Sequence, residues 1–190
     1  TWDEVTAFQS DPAPDAFEAV LDRLLDSPRY GERWGRHWLD IARYADTLGG
    51  SAIGFTKFPF SYTYRDYVIN AFNADMPYDQ FATWQLAGDL LPNATKEQIL
   101  ATAFNRHHMQ TEEGGSVEEE FRVTYVVDRV NTMGTTFLAQ TFECSRCHDH
   151  KFDPFQQRDY YQLYAYFNAV PENGLDGSSA GRGNTSSRYS

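Results

Sequence analysis

Cys144-Ser145-Arg146-Cys147-His148 is followed at once by Asp149-His150-Lys151-Phe152-Asp153-Pro154. The first five residues read C-x-x-C-H, the spacing by which c-type haem is attached. Two thiols three positions apart can each add across one of the two vinyl groups of haem, forming two thioethers. The imidazole directly after the second thiol then serves as proximal iron ligand. Cys144 and Cys147 are the only cysteines in the chain. A thioredoxin-like dithiol or disulfide is a second reading, but that motif opens a helix after a βαβ strand, and no such strand pattern precedes Cys144. A zinc site built from Cys144, Cys147, His148 and His150 is a third, and four ligands so close in sequence make a cramped tetrahedron. Covalent haem c held by Cys144, Cys147 and His148 is the expected cofactor.

The other face of the iron decides what such a haem does. A Met or His ligand closes it and makes an electron carrier, whereas an open position makes an enzyme. Met109 is the first candidate for the distal position, its plainer reading being an ordinary core or loop methionine. His37 is the alternative, and it also reads as a core histidine bonded to a neighbour, because it flanks an apolar helical stripe. His150 lies two residues from His148, on the proximal side. With Asp149 and Asp153 it is expected to orient the proximal imidazole or to meet the propionates. Arg146, Arg36 and Arg106 are further propionate candidates, though most arginines form solvent-facing pairs. Glu112 and Glu113, beside Gly114-Gly115, are candidate catalytic carboxylates or calcium ligands. Their plainer reading joins them to Glu118, Glu119 and Glu120 as the acidic start of a helix, favoured by its dipole. No EF-hand loop is present, so no second metal is expected.

The elements that must position these residues are helical. Phe17, Val20, Leu21, Leu24 and Leu25 recur at helical spacing behind a D-x-x-E capping box at Asp15 and Glu18. Ser27-Pro28 ends that helix and opens a second, with Tyr30, Trp34, Trp38, Ile41, Ala42 and Ala45 along one side. Residues 49–61 read as a loop by composition. A third helix is predicted near 63–74, a fourth from Tyr78 to Leu91, and a fifth behind a capping box at Thr95 and Gln98. Ser116 and Glu119 are expected to cap a long sixth helix over about 117–141, which delivers the chain to Cys144. A Tyr- and Phe-rich helix over 156–169 follows. The predicted fold is mostly α, a single multi-helix domain of about seven helices with long loops and little or no β. Its organisation reads as a tail or linker over 1–14, a helical haem domain over 15–170, and a Gly/Ser-rich tail or linker over 171–190 that leads to a missing domain.

Composition bounds the function classes. The net charge is −11, a field that repels phosphate backbones and anionic membrane surfaces. Nucleic acid is therefore not an expected partner. Aromatics make up 16% of the residues, enough to line a haem pocket or simply to fill a core. No apolar run is long enough to span a membrane. The chain starts at Thr1-Trp2-Asp3 without Met or a signal peptide, which reads as a mature or excised piece of a longer chain.

Several longer stretches are similar to one known family. They are Ser27-Pro28-Arg29-Tyr30-Gly31-Glu32-Arg33-Trp34, Arg36-His37-Trp38-Leu39-Asp40, Tyr64-Arg65-Asp66-Tyr67-Val68, Phe72-Asn73-Ala74-Asp75-Met76-Pro77-Tyr78, Gln85-Leu86-Ala87-Gly88-Asp89-Leu90-Leu91-Pro92, Glu112-Glu113-Gly114-Gly115 and the Cys144 to Pro154 segment. Together they resemble the planctomycete cytochrome c-like domain, over about residues 1–177. The resemblance implies c-type haem and an extracytoplasmic, periplasmic or exported, location within a large chain. Partners would then be neighbouring domains of that chain or a redox protein. Where that family pattern reads H-R-N-T-M, this chain has Asn105-Arg106-His107-His108-Met109, so Met109 matches while His107 and His108 are local substitutions. The expected function is one-electron transfer. The alternatives are a haem oxidoreductase or peroxidase-like domain with an open iron, acting on a small or carbohydrate substrate, and a haem-free binding or scaffold module with a Cys144–Cys147 disulfide.

Overall fold

The computed structural model describes residues 1–50, 54–111 and 115–171. Within them the chain is mostly α-helical, with eight α-helices and one two-stranded hairpin. It divides into two compact units, Thr1–Phe104 and Asn105–Ser190. The tail expected over residues 171–190 lies outside the described residues from residue 172 on.

In the first unit, α1 spans Trp2–Ser10 and α2 spans Ala16–Leu25. Residues 2–10, read from the sequence as part of a tail or linker, are thus locally helical. Thr1 caps α1 through a reciprocal box with Glu4, a signal that the Pro-rich stretch after Ser10 masks. Glu4 also pairs with Arg23 of α2 at 2.7 Å, and the Phe8 and Phe17 rings lie 6.5 Å apart. The Asp15 side chain makes no capping bond to α2, contrary to the D-x-x-E expectation.

Helix α3, Arg29–Ile41, and helix α4, Tyr62–Asn73, form the core pair of this unit. The Ser27 hydroxyl accepts the Arg29 N–H at 3.3 Å, so the serine helps to cap α3. The buried face of α3 takes in only part of the aromatic stripe: Trp38 reaches the core, its ring 4.7 Å from Phe81, and Ala42 is buried behind it. Trp34 and Ile41 are both 49% exposed, whereas Gly31, Gly35 and Ala42 are buried. The glycines are what lets α4 approach. A Cβ on Gly31 would stand 2.4 Å from the Ile69 carbonyl oxygen, and the Gly31 N–H donates to Asn73 Oδ1 at 2.8 Å. Arg43, in the left-handed region at φ 61°, turns the chain out of α3, and the Tyr44 N–H returns to the Leu39 carbonyl.

Two strands then pair antiparallel: β1, Thr47–Gly50, with β2, Gly54–Lys57, in the register Thr47↔Lys57 and Gly50↔Gly54. This hairpin occupies much of what was expected to be plain loop; its glycine-rich residues carry no apolar–polar alternation to announce it. Helices α5, Tyr78–Ala87, and α6, Lys96–Ala101, complete the unit, α6 behind the expected Thr95–Gln98 box. The core holds Tyr64, Tyr67, Val68, Ala71, Phe81 and Phe104 around a buried amide. Gln85 Oε1 accepts both the Tyr64 hydroxyl at 2.6 Å and the Trp38 indole N–H at 2.9 Å.

In the second unit, α7 spans Glu118–Leu138 and α8 spans Gln157–Asn168. Val117, not Ser116, is the N-cap of α7, and no side chain caps it. The helix stops three residues short of the expected Thr141, at Ala139 in the left-handed region with φ 52°. The chain folds back there, and Phe142 lands on Gly134 of the helix it has just left. Val130, Phe142 and Tyr160 form the buried centre, with Phe155, Leu163, Tyr164 and Phe167 packed around them.

Candidate haem-attachment site

Phe142–Arg146 is a single 3₁₀ turn that carries the first thiol, and Cys147 closes it by donating its N–H to the Cys144 carbonyl at 3.2 Å. Phe142 and Ser145 point inward and are buried; Cys144, Arg146, Cys147 and His148 point outward. The period of the turn produces this division, since Phe142 and Ser145 are three apart and so eclipse each other. Both cysteines are free thiols. His148 Nδ1 lies 2.7 Å from the Asp149 carbonyl oxygen. A carbonyl only accepts, so that contact places the ring proton on Nδ1 and leaves the Nε2 lone pair for a ligand.

The following loop is held by its own side chains. The His150 N–H donates to the Phe155 carbonyl at 2.8 Å, while His150 Nδ1 accepts the Asp153 N–H at 2.9 Å. The Asp153 carboxylate lies 3.0 Å from the same nitrogen, so both the N–H and the side chain of Asp153 hold the His150 ring at Nδ1. Asp149 Oδ1 accepts the N–H of Gln157, the first residue of α8, at 2.8 Å. The Arg146 carbonyl accepts from Gln157 Nε2 at 3.1 Å and from the Tyr161 hydroxyl at 3.0 Å. Asp149 was expected to orient the proximal imidazole, and its carbonyl does face His148 Nδ1 while its carboxylate caps α8; the side chain of His150 ties the turn to Asp153.

Below the motif, Ser145 and Tyr160 are fully buried, and neither hydroxyl has a hydrogen-bond partner among the described residues. Burial pushes the Tyr160 phenol up to about 12 against a smaller opposing pull from Arg146. An unpaired phenol that resists ionisation is a packing element here, not a proton carrier.

The other expected site residues each belong to one of the two units. His37 belongs to the first unit and is exposed, its ring 5.6 Å from Trp34, so the core-histidine reading fails. Met109 is 65% exposed; its neighbour His108 is the buried one, its ring centre 4.6 Å from that of Tyr125 at a tilt of 31° and its Nδ1 facing the Met109 carbonyl at 2.7 Å. Glu112 and Glu113 lie outside the described residues. Arg36 lines a cleft of about 320 Å³ in the first unit together with Asp40, Tyr44 and Arg65, well stocked with charge but free of thiols. Sequence reasoning missed Gly134, Gln157 and Tyr161. Tyr161 is visible as part of the aromatic last helix, while Gly134 and Gln157 carry no sequence signal of their roles.

The donor set fits a covalently held haem: two free, exposed thiols on one turn, and an imidazole whose Nε2 is uncommitted. It fits a zinc tetrahedron poorly, because His150 Nδ1 is engaged by the Asp153 N–H and, among the described residues, no three His, Cys, Asp or Glu side chains are grouped to hold a metal ion. No described helix is long and apolar enough to cross a membrane.

Comparison with known proteins found no matching curated protein and no matching solved structure. A family described as PSCyt2, protein of unknown function (DUF1549), matches residues 1–172. That span takes in the first compact unit, most of the second and the whole Cys144 to Pro154 segment, and the chain belongs to this family.

Proposed function

We propose that the chain is an extracytoplasmic c-type haem domain that passes single electrons to neighbouring domains of a larger chain or to a redox partner. The observation that carries the reading is the outward presentation of Cys144, Cys147 and the uncommitted Nε2 of His148 on one turn. Attachment balances without an oxidant: each S–H adds across a vinyl C=C, the sulfur bonding one carbon and the hydrogen going to the other. When bound, haem iron supplies a one-electron couple. The protein's part is to hold the two thiols three positions apart and to fix the His148 tautomer through the Asp149 carbonyl. Exposure favours electron transfer over catalysis. Cys144, Cys147 and His148, which would hold the haem, are all exposed and so open to a partner, whereas a catalytic pocket works by excluding water.

The test is a pyridine haemochrome spectrum of the chain exported alongside c-type maturation factors. A c-type haemochrome with low-spin bands is the expected result. A c-type haemochrome with high-spin bands shifts the reading to an open-iron oxidoreductase. Absence of haem removes the proposal and returns Cys144 and Cys147 to dithiol or disulfide chemistry.

A further inference from the structure

Helices α1 and α2 have clear apolar faces, yet neither buries a single residue. On α2, Phe17, Leu21, Leu24 and Leu25 recur at the spacing of one face and are 58%, 41%, 52% and 59% exposed. Trp2, Val5 and Phe8 form the matching row on α1, at 78%, 46% and 41%. The two rows are joined where Phe8 meets Phe17, and the Glu4–Arg23 pair holds the helices together. A helix this amphipathic normally turns its apolar side to a core, and a contiguous apolar patch left in water marks an interaction surface.

The charge around the patch selects the partner. Residues 1–26 carry seven carboxylates and one basic side chain, Arg23, which is already paired with Glu4. On α2, Glu18 and Asp22 run along one border of the apolar face. A second copy of the chain would set this acidic rim against itself, and an anionic membrane surface would be repelled in the same way. We propose that the α1–α2 face is a docking surface for a basic amphipathic helix, whose apolar residues cover Phe17, Leu21 and Leu24 while its lysines or arginines meet the acidic rim.

The test uses the full chain and a fluorescent 18-residue helical peptide with leucines on one face and lysines on the other. The expected result is saturable one-to-one binding by anisotropy, weakened at least tenfold between 0.05 and about 0.5 M salt, where screening removes the rim contribution. In L21D/L24D binding falls at least tenfold while the far-ultraviolet circular dichroism is unchanged, because both side chains are largely exposed. A peptide with the same leucines and glutamates in place of lysines should not bind. The proposal is overturned by no binding, by equal binding of the glutamate peptide, or by retention in L21D/L24D. It is also overturned if the free chain self-associates through this face in sedimentation, or if zwitterionic vesicles take up the chain in an L21D/L24D-sensitive way.

Discussion

Replacing Gly134 by alanine tests how the turn that carries Cys144 and Cys147 is seated. A methyl group at 134 would stand 2.3 Å from Phe142 Cδ2, 3.1 Å from Cε2 and 3.2 Å from Cγ. Carbon atoms rest about 3.5–4.0 Å apart, so the ring must retreat by more than about 1 Å. It has little room: Phe142 is 5% exposed and its ring centre lies 4.7 Å from that of Phe155. Overpacking of this kind costs about 1–3 kcal/mol, and the better helix propensity of alanine returns about 1 kcal/mol. A contact as short as 2.3 Å puts the cost at the upper end of that range, so the expected net loss is about 2 kcal/mol. The assay is urea unfolding followed by far-ultraviolet circular dichroism, which senses both units. Tryptophan fluorescence is read in parallel, and all four tryptophans lie in residues 1–104. A change confined to the circular dichroism transition locates the damage in the second unit. The double variant G134A/F142L should be more stable than the sum of the single effects by about 1 kcal/mol, since leucine frees the space that the methyl needs. Stability of G134A at or above the parent, or strict additivity in the double variant, would refute the steric reasoning.

Gly31→Ala meets a backbone carbonyl rather than a ring, so a loss of about 2 kcal/mol or more is expected in the tryptophan-detected transition. Tyr160→Phe should raise stability at neutral pH by about 1 kcal/mol, because it removes a buried hydroxyl that has no partner among the described residues; a loss measured by urea unfolding would point to an interaction of that hydroxyl not yet seen. The folded phenol is raised to about 12 from an unfolded value near 10. Its contribution is therefore complete below pH 10 and lost as pH rises from 10 to 12, and Tyr160→Phe should flatten that alkaline decline in urea midpoints. Cys144→Ala with Cys147→Ala should abolish covalent haem, and a haemochrome that survives denaturing electrophoresis in that variant would remove the attachment claim. Gln85→Leu should cost about 1–3 kcal/mol through the loss of its bonds to Tyr64 and Trp38.

The helices were legible wherever an apolar period coincided with a capping signal. Thr95 and Gln98 announce α6, and Tyr64, Tyr67, Val68 and Ala71 announce both the existence and the buried face of α4. Period alone could not say which side of α3 is inside. Close helix packing selects the smallest residues, so Gly31 and Gly35 share the inner face with Trp38 and Ala42 while Trp34 stays out, and a rule that counts only large apolar side chains sets that face off by part of a turn. The stripe on α2 was likewise visible, but a sequence does not record whether anything covers it. At the site, the thiols and His148 were readable from spacing. The work of Asp149, His150, Gln157 and Tyr161 was not, because hydrogen bonds between a loop and a helix start leave no period.

The hydrogen bonds that shape the motif are short in sequence. Asp149 to Gln157, Arg146 to Gln157 and Arg146 to Tyr161 span 8, 11 and 15 residues. In the first unit, Gly31 to Asn73 and Trp38 to Gln85 span 42 and 47. Closing a short loop costs less chain entropy than closing a long one, and contacts local in sequence form sooner. The turn that presents Cys144, Cys147 and His148 can therefore take shape on a chain whose glycine-faced helix pair has not yet assembled. A modifying enzyme acting on such a chain would meet a structured target before it met a folded protein.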